Sequence, residues 1–195
     1  MAELLENFVV VLIGFAGTGK YTIGRELAAL TGAKLIDSHL INNALFTAVN
    51  ADGVTPLPEQ IWEKVRRARH LVYETIRDLS PRELSFIFTI QLIEEDGEDH
   101  AAFADLVELA AVRRSLLVPI RLVCDVEELC RRVVGPGRAA MLKQITIAAA
   151  RQRAETKTVL TPRHPNVRTI DVTQKSARDS AAEVLDHVLS LVGKE

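Results

Sequence analysis

Apolar and polar residues follow two rhythms along this chain. Short apolar runs recur, separated by longer stretches in which apolar residues return every three or four positions. Five runs read as strands: Phe8–Ile13, Lys34–Asp37, Leu84–Ile90, Leu117–Val123 and Val167–Asp171. The first has no polar position, as a strand buried on both faces of a parallel sheet requires. Helical periodicity fills the gaps. Thr22–Leu30 places Ile23, Leu27 and Leu30 on one face and is closed by Gly32. Pro58–Leu79 is the clearest, with Ile61, Val65, Ala68, Val72 and Ile76 aligned and Glu63, Arg66, Arg67, His70 and Glu74 off that face. Phe103, Leu106, Val107 and Ala110 mark another. Asp125 opens a helix through Val133, and Ser176 with Asp179 opens the last one. This alternation predicts an α/β fold with a parallel sheet covered by helices on both faces. Such sheets bind ligands beyond the C-terminal ends of their strands. That rule selects the loop after Ile13, Asp37, the stretch after Ile90, Asp125 and the stretch after Asp171.

Composition narrows the class. The chain has 195 residues, 48% hydrophobic and 26% charged, enough for one domain with a substantial core. A net charge of −2 offers no global basic field, so a nucleic-acid partner is not expected. Cys124 and Cys130 form no CxxC pair, which suits a reduced, cytoplasmic protein. Glu3 and Glu6 stand where a secretory signal has basic residues, and neither a signal peptide nor a membrane span is expected.

The loop after the first strand carries the chemistry. Gly14-Phe15-Ala16-Gly17-Thr18-Gly19-Lys20-Tyr21-Thr22 matches GxxxxGK, a phosphate-binding P-loop, in its required strand–loop–helix setting. Gly14, Gly17 and Gly19 are expected at φ > 0, turning backbone N–H groups of the loop, among them those of Ala16 and Thr18, onto a phosphate. The helix starting near Lys20 adds its positive dipole end, and Lys20 adds a full charge. One position departs from the pattern. Tyr21 occupies the place of the Ser or Thr whose hydroxyl binds Mg²⁺. Its phenol oxygen lies several ångströms further out, and Thr22, about 100° further round the helix, is placed for an α-phosphate.

With these features the chain resembles the small P-loop kinases, the group that includes shikimate kinase, adenylate-type nucleotide kinases and chloramphenicol phosphotransferase. It is also similar to kinase-like proteins with GKYT at the loop and an LIDxHLIN-like second strand, here Lys20-Tyr21-Thr22 and Leu35-Ile36-Asp37-Ser38-His39-Leu40-Ile41-Asn42. The resemblance implies a three-layer P-loop NTPase fold, sheet order 2-3-1-4-5, over one domain. It implies a helical acceptor-binding insert at about residues 38–82 and a lid at about 131–165. The activity it implies is transfer of the γ-phosphoryl group of ATP, with Mg²⁺, to a small-molecule acceptor, by a monomer or homodimer.

The resemblance also distributes roles. Lys20 holds the phosphates, and Asp37 binds the acceptor, acts as base, or holds Mg²⁺ through water. Asp is also a common helix cap, and the two uses are compatible. His39 and Asn43, four residues apart on one helix face, contact the acceptor, or else belong to a solvated helix start. Arg131 and Arg132 are adjacent and point different ways, so at most one faces the site, the other reading being a solvated helix face; Arg132 and Arg138 are the lid candidates. Gln174, in the loop after the fifth strand with Thr173 and Lys175, flanks the adenine. Arg66, Arg67 and Arg69 read better as helix-surface ion pairs with Glu63 and Glu74 than as an anion site.

The third strand ends Thr89-Ile90-Gln91, where the resembling kinases carry a second acid, and Glu94-Glu95-Asp96 beyond it reads as a solvated loop. Both usual magnesium ligands are therefore missing or displaced. That leaves a second reading open: a nucleotide-binding regulatory module with little or no catalysis.

Overall fold

The structure, a computed structural model, describes residues 5–135 and 146–192. Five strands form one parallel sheet in the order β2-β3-β1-β4-β5. They are β1 (Phe8–Ile13), β2 (Lys34–Asp37), β3 (Phe86–Ile90), β4 (Leu116–Val123) and β5 (Arg168–Asp171). The described helices are α1 (Lys20–Thr31), α2 (Ser38–Ala48), α3 (Ile61–Leu79), α4 (Gly97–Arg113), α5 (Val126–Val133), α6 (Ile147–Thr156) and α7 (Ala177–Val192). No described helix is long and apolar enough to cross a membrane.

β1 lies mid-sheet, and all six of its residues are buried. Its alternation sends Val9, Val11 and Ile13 to one face, with Tyr73, Ile76, Phe103 and Leu106 of α3 and α4. Phe8, Val10 and Leu12 go to the other, with Ile23 and Leu27 of α1 and Val184 and Val188 of α7. Gly24 lets α1 approach closely, since a Cβ there would stand 2.8 Å from Leu35 Cδ1. Pro119 is tolerated inside β4 because β5 pairs only from Ile120 onward.

Several boundaries differ from the expected ones, those of β4 and β5 by one residue and those of β3 and α3 by more. β3 starts at Phe86 rather than Leu84 because Leu84 closes a turn on Pro81 O and Ser85 turns its hydroxyl to Phe8 N. α3 starts at Ile61 because Pro58 to Ile61 forms a separate turn. The α3–β3 corner is tied by Arg113, only 4% exposed, which donates to the carbonyls of Ile76, Pro81 and Leu84 and lies over the Phe86 ring. Burial pulls its guanidinium below the ordinary value.

Candidate nucleotide site

The loop between β1 and α1 is shaped by glycine for two different reasons. Gly17 (φ 94°) and Gly19 (φ 83°) occupy the left-handed region, as expected. Gly14 does not, which corrects that expectation. Its demand is space, because a Cβ would meet Thr18 Oγ1 at 2.8 Å and Leu122 O at 3.0 Å. Thr18 is fully buried, and both its Oγ1 (2.9 Å) and its backbone N–H (3.3 Å) donate to Phe15 O, so it braces the loop, and its amide is turned inward rather than, as expected, towards a phosphate. Lys20 Nζ donates to Gly14 O (2.7 Å) and Phe15 O (2.9 Å), which holds its charge across the loop mouth. No side chain caps α1, so its N-terminal amides and dipole face the loop.

One brace was not anticipated. Ala16 N, expected to face a phosphate, instead donates to Gln91 Oε1 at 3.1 Å, joining the loop to the end of β3 across 75 residues. Sequence noted Gln91 only as a residue standing where an acid is usual; its pairing needs the register of Ile13 beside Ile90.

Asp37 ends β2 directly beside Thr89 of β3 and is only 3% exposed. The Thr89 hydroxyl donates to Asp37 Oδ1. Asp37 holds the N-cap position of α2, but its side chain makes no cap bond there. His39 is half-buried and edge-on to Phe46 at 6.5 Å, and Asn43 is half-buried one turn further along α2. Tyr21 stays on the flank of α1, where the Arg25 guanidinium lies 6.0 Å from its ring centre.

On the other side, a cavity of about 250 Å³ joins the loop to α5 and α7. Thr18, Gly19, Thr22, Arg132, Val172 and Lys175 line it. Arg132 reaches it because Nη2 donates to Val172 O (2.9 Å) and Thr173 O (3.0 Å) while Nε binds Glu128 at 2.5 Å. Arg131 turns away with its side chain 73% exposed, so the adjacent arginines diverge as expected. The two guanidiniums hold the Glu128 carboxyl down at about 2, hydrogen bonding from Arg131 being the largest cause. Gln174 is exposed, and Lys175 and Val172 stand at the cavity in its place. Arg138 lies outside the described residues.

The acidic run after β3 is exposed at Glu95 and Asp96, as expected of a solvated loop, but two of its carboxylates are tied to the chain beyond α6. Glu95 accepts from Thr158 N and Glu94 from Thr161 N at 2.7 Å. Leu92 O takes Leu160 N, and Arg121 Nε donates to Val159 O. Val159 and Leu160 are therefore core residues, although they fall in the span expected as lid. The long-helix arginines also divide. Arg66 pairs across to Glu98 of α4 rather than with Glu63 or Glu74. Arg69 Nε is buried with no hydrogen-bond partner among the described residues. The adjacent Asp99 carboxyl is raised, chiefly by burial. Among the described residues no three His, Cys, Asp or Glu side chains gather as a metal site.

Comparison with known proteins gives the fold a name. No family model matches the chain. A shikimate kinase of Helicobacter hepaticus is 40% identical over 65 residues, a match spanning 29% of this chain and 38% of that protein. A gluconokinase of Sinorhizobium meliloti superposes with a TM-score of 0.63 at 14% identity, covering 96% of this chain and 94% of that one. An APS kinase of Mycobacterium tuberculosis, in complex with AMPPNP and APS, gives 0.55 at 17%, covering 94% and 98%. A shikimate kinase of Acinetobacter baumannii, with shikimate, gives 0.51 at 20%, covering 99% and 97%. The fold is that of the small P-loop kinases.

Proposed function

We propose that this protein is an ATP-dependent phosphotransferase that moves a γ-phosphoryl group to a small-molecule acceptor. The observation that carries the reading is the loop itself. Gly17 and Gly19 take left-handed conformations, the N-terminus of α1 has no side-chain cap, Lys20 lies across the loop mouth, and the Arg132 cavity opens beside Gly19, the features a phosphate-binding loop needs. ATP binds with its phosphates on Gly14–Thr22 and its base towards Val172 and Lys175. Asp37 orients or deprotonates the acceptor hydroxyl, which also contacts His39 and Asn43 on the insert formed by residues 38–82. Arg132 and Arg138, in a lid within residues 131–165, balance charge on the migrating group.

The acceptor carries an anionic group. α3 descends towards the start of β3, so Arg69, one turn before Tyr73, lies towards the C-terminal edge of the sheet. Its buried, unsatisfied Nε supports a role in reading a carboxylate or phosphate. The reaction is cytoplasmic and is run by a monomer or homodimer.

Purified protein mixed with ATP and a panel of acidic hydroxyl compounds is expected to release ADP with at least one of them. Asp37→Asn lowers kcat with little change in ATP affinity. Tight ATP binding with no turnover on any acceptor points instead to the second reading, a nucleotide-binding regulatory module. Tyr21 and the Thr89/Gln91 end of β3 favour that alternative, because the usual magnesium ligands are absent at both places. Tyr21→Ser separates the two: a large gain in Mg²⁺-dependent hydrolysis marks a wild type held inactive at that position.

A further inference from the structure

Residues 90–95, at and just beyond the end of β3, hold the phosphate loop on one side and the chain between α6 and β5 on the other. On the loop side, Gly14 N donates to Ile90 O at 3.3 Å and Ala16 N to Gln91 Oε1 at 3.1 Å. On the other side, Ile93 forms an antiparallel bridge with Val159, Leu160 N donates to Leu92 O at 3.0 Å, and Glu94 N donates to Thr158 O at 2.9 Å. The Glu95 carboxylate accepts from Thr158 N (3.1 Å) and the Glu94 carboxylate from Thr161 N (2.7 Å). Apolar packing joins the same parts, since Phe15 of the loop shares one cluster with Leu92, Leu129, Val159 and Leu160.

These contacts close into a ring. Residues 158–161 follow α6, and Arg151 of α6 is held to Glu127 of α5 by two bonds of 2.5 and 2.7 Å. α5 returns to the loop, where a Cβ on Gly17 would stand 3.0 Å from Leu129 O. α5 also carries Arg132 to the cavity beside Gly19. One link of the ring is slight. Its ladder is a single bridge, and the N–H groups of Thr158 and Thr161 take carboxylates, not a further strand, as their partners.

We propose that Glu94 and Glu95 are positioning residues for the phosphate site: by seating residues 158–161 they hold the ring closed and the loop in its phosphate-binding shape. Binding at the loop and seating of residues 158–161 then favour each other to the same extent. The proposal rests on the nucleotide reading above and deepens it. Its sign is distinctive, because removing two negative charges would by Coulomb attraction alone strengthen the binding of an anion.

Calorimetric titration of AMPPNP into the wild type and two double variants, Glu94→Gln with Glu95→Gln and Glu94→Ala with Glu95→Ala, tests it. The two variants have the same charge, and only glutamine keeps a side-chain oxygen for Thr158 N and Thr161 N. The alanine pair is expected to bind AMPPNP at least about fivefold more weakly than the glutamine pair. Equal Kd values in the two variants overturn the proposal, since a merely structural role lowers Tm and leaves the affinity of the folded protein alone. No binding by the wild type overturns the underlying nucleotide reading as well. If the alanine pair does not fold, amide hydrogen exchange of the wild type decides. AMPPNP is then expected to slow the Thr158 and Thr161 amides at least about threefold more than the Val167 amide, which bonds His164 O ahead of β5. Equal slowing at all three overturns the proposal.

Discussion

The phosphate loop and the helical insert leave the sheet from the C-terminal ends of two strands successive in the chain, β1 and β2, yet they are built in opposite ways. The loop is over-determined. Gly14 and Gly17 have no room for a side chain, Thr18 is fully buried, and Lys20, Thr18 and Gln91 each bond its backbone. The second half of α3 packs on the sheet through Tyr73 and Ile76, but the outer part of the insert rests on three buried residues, Phe46, Ile61 and Val65, and leaves Leu40 (61%), Val54 (58%) and Trp62 (49%) exposed. A rigid loop suits a ligand part that never varies, the phosphates. A thinly packed insert suits the part that must select and admit an acceptor, since mobile elements come from the least stable regions of a fold.

The comparison can be broken at either end. Gly17→Val has the largest expected effect. A β-branched residue at φ 94°, with its Cβ 3.0 Å from Leu129 O, displaces the loop from α5. AMPPNP affinity, measured by calorimetry, is expected to fall at least about 30-fold, equivalent to about 2 kcal/mol. Phe46→Ala is expected to cost about 2 kcal/mol in urea unfolding, less than a deep-core phenylalanine, because the exposed insert can collapse around the gap. Its AMPPNP affinity should stay within twofold of wild type; a tenfold loss would mean that the two regions are one mechanical unit.

Asp125→Ala should have a smaller effect. Asp125 accepts from the amides of Glu127 and Glu128 at the start of α5, and losing that cap costs about 1 kcal/mol. The smallest effect is that of pH. Glu128 stands at about 2, well below the ordinary 4.5. Its pairing with Arg131 and Arg132 is therefore fully present above pH 4.5 and is lost only as pH falls towards 2. A carboxyl NMR titration carried down through pH 4.5 should show no midpoint for Glu128 there, the step coming only nearer pH 2. A midpoint at the ordinary value would mean that the pair is not formed in solution.

Five strands, five of the helices and the loop were legible because each has a local cause: an apolar run, a 3.6-residue period, a glycine pattern; the order β2-β3-β1-β4-β5 came only from the family resemblance. What was missed depends on distant partners. Gly14 looks like its fellow glycines, but its reason lies in Leu122, more than 100 residues away. Gln91 looked like a missing acid until its side chain met Ala16. Glu94 and Glu95 have the composition of a solvated loop, and only the fold shows that they fasten Thr158–Thr161 to the core. Arg69 cannot be told from Arg66 and Arg67 by spacing, since burial alone separates them.

The central claim is that this loop holds a nucleotide by its phosphates. Calorimetric titration of AMPPNP into the wild type and Lys20→Ala, side by side, tests it most directly. One site per chain is expected in the wild type, weakened about 100-fold in the variant by loss of a charge-assisted contact, with Tm unchanged. Equal affinity in the two proteins, or no binding to the wild type, would contradict it.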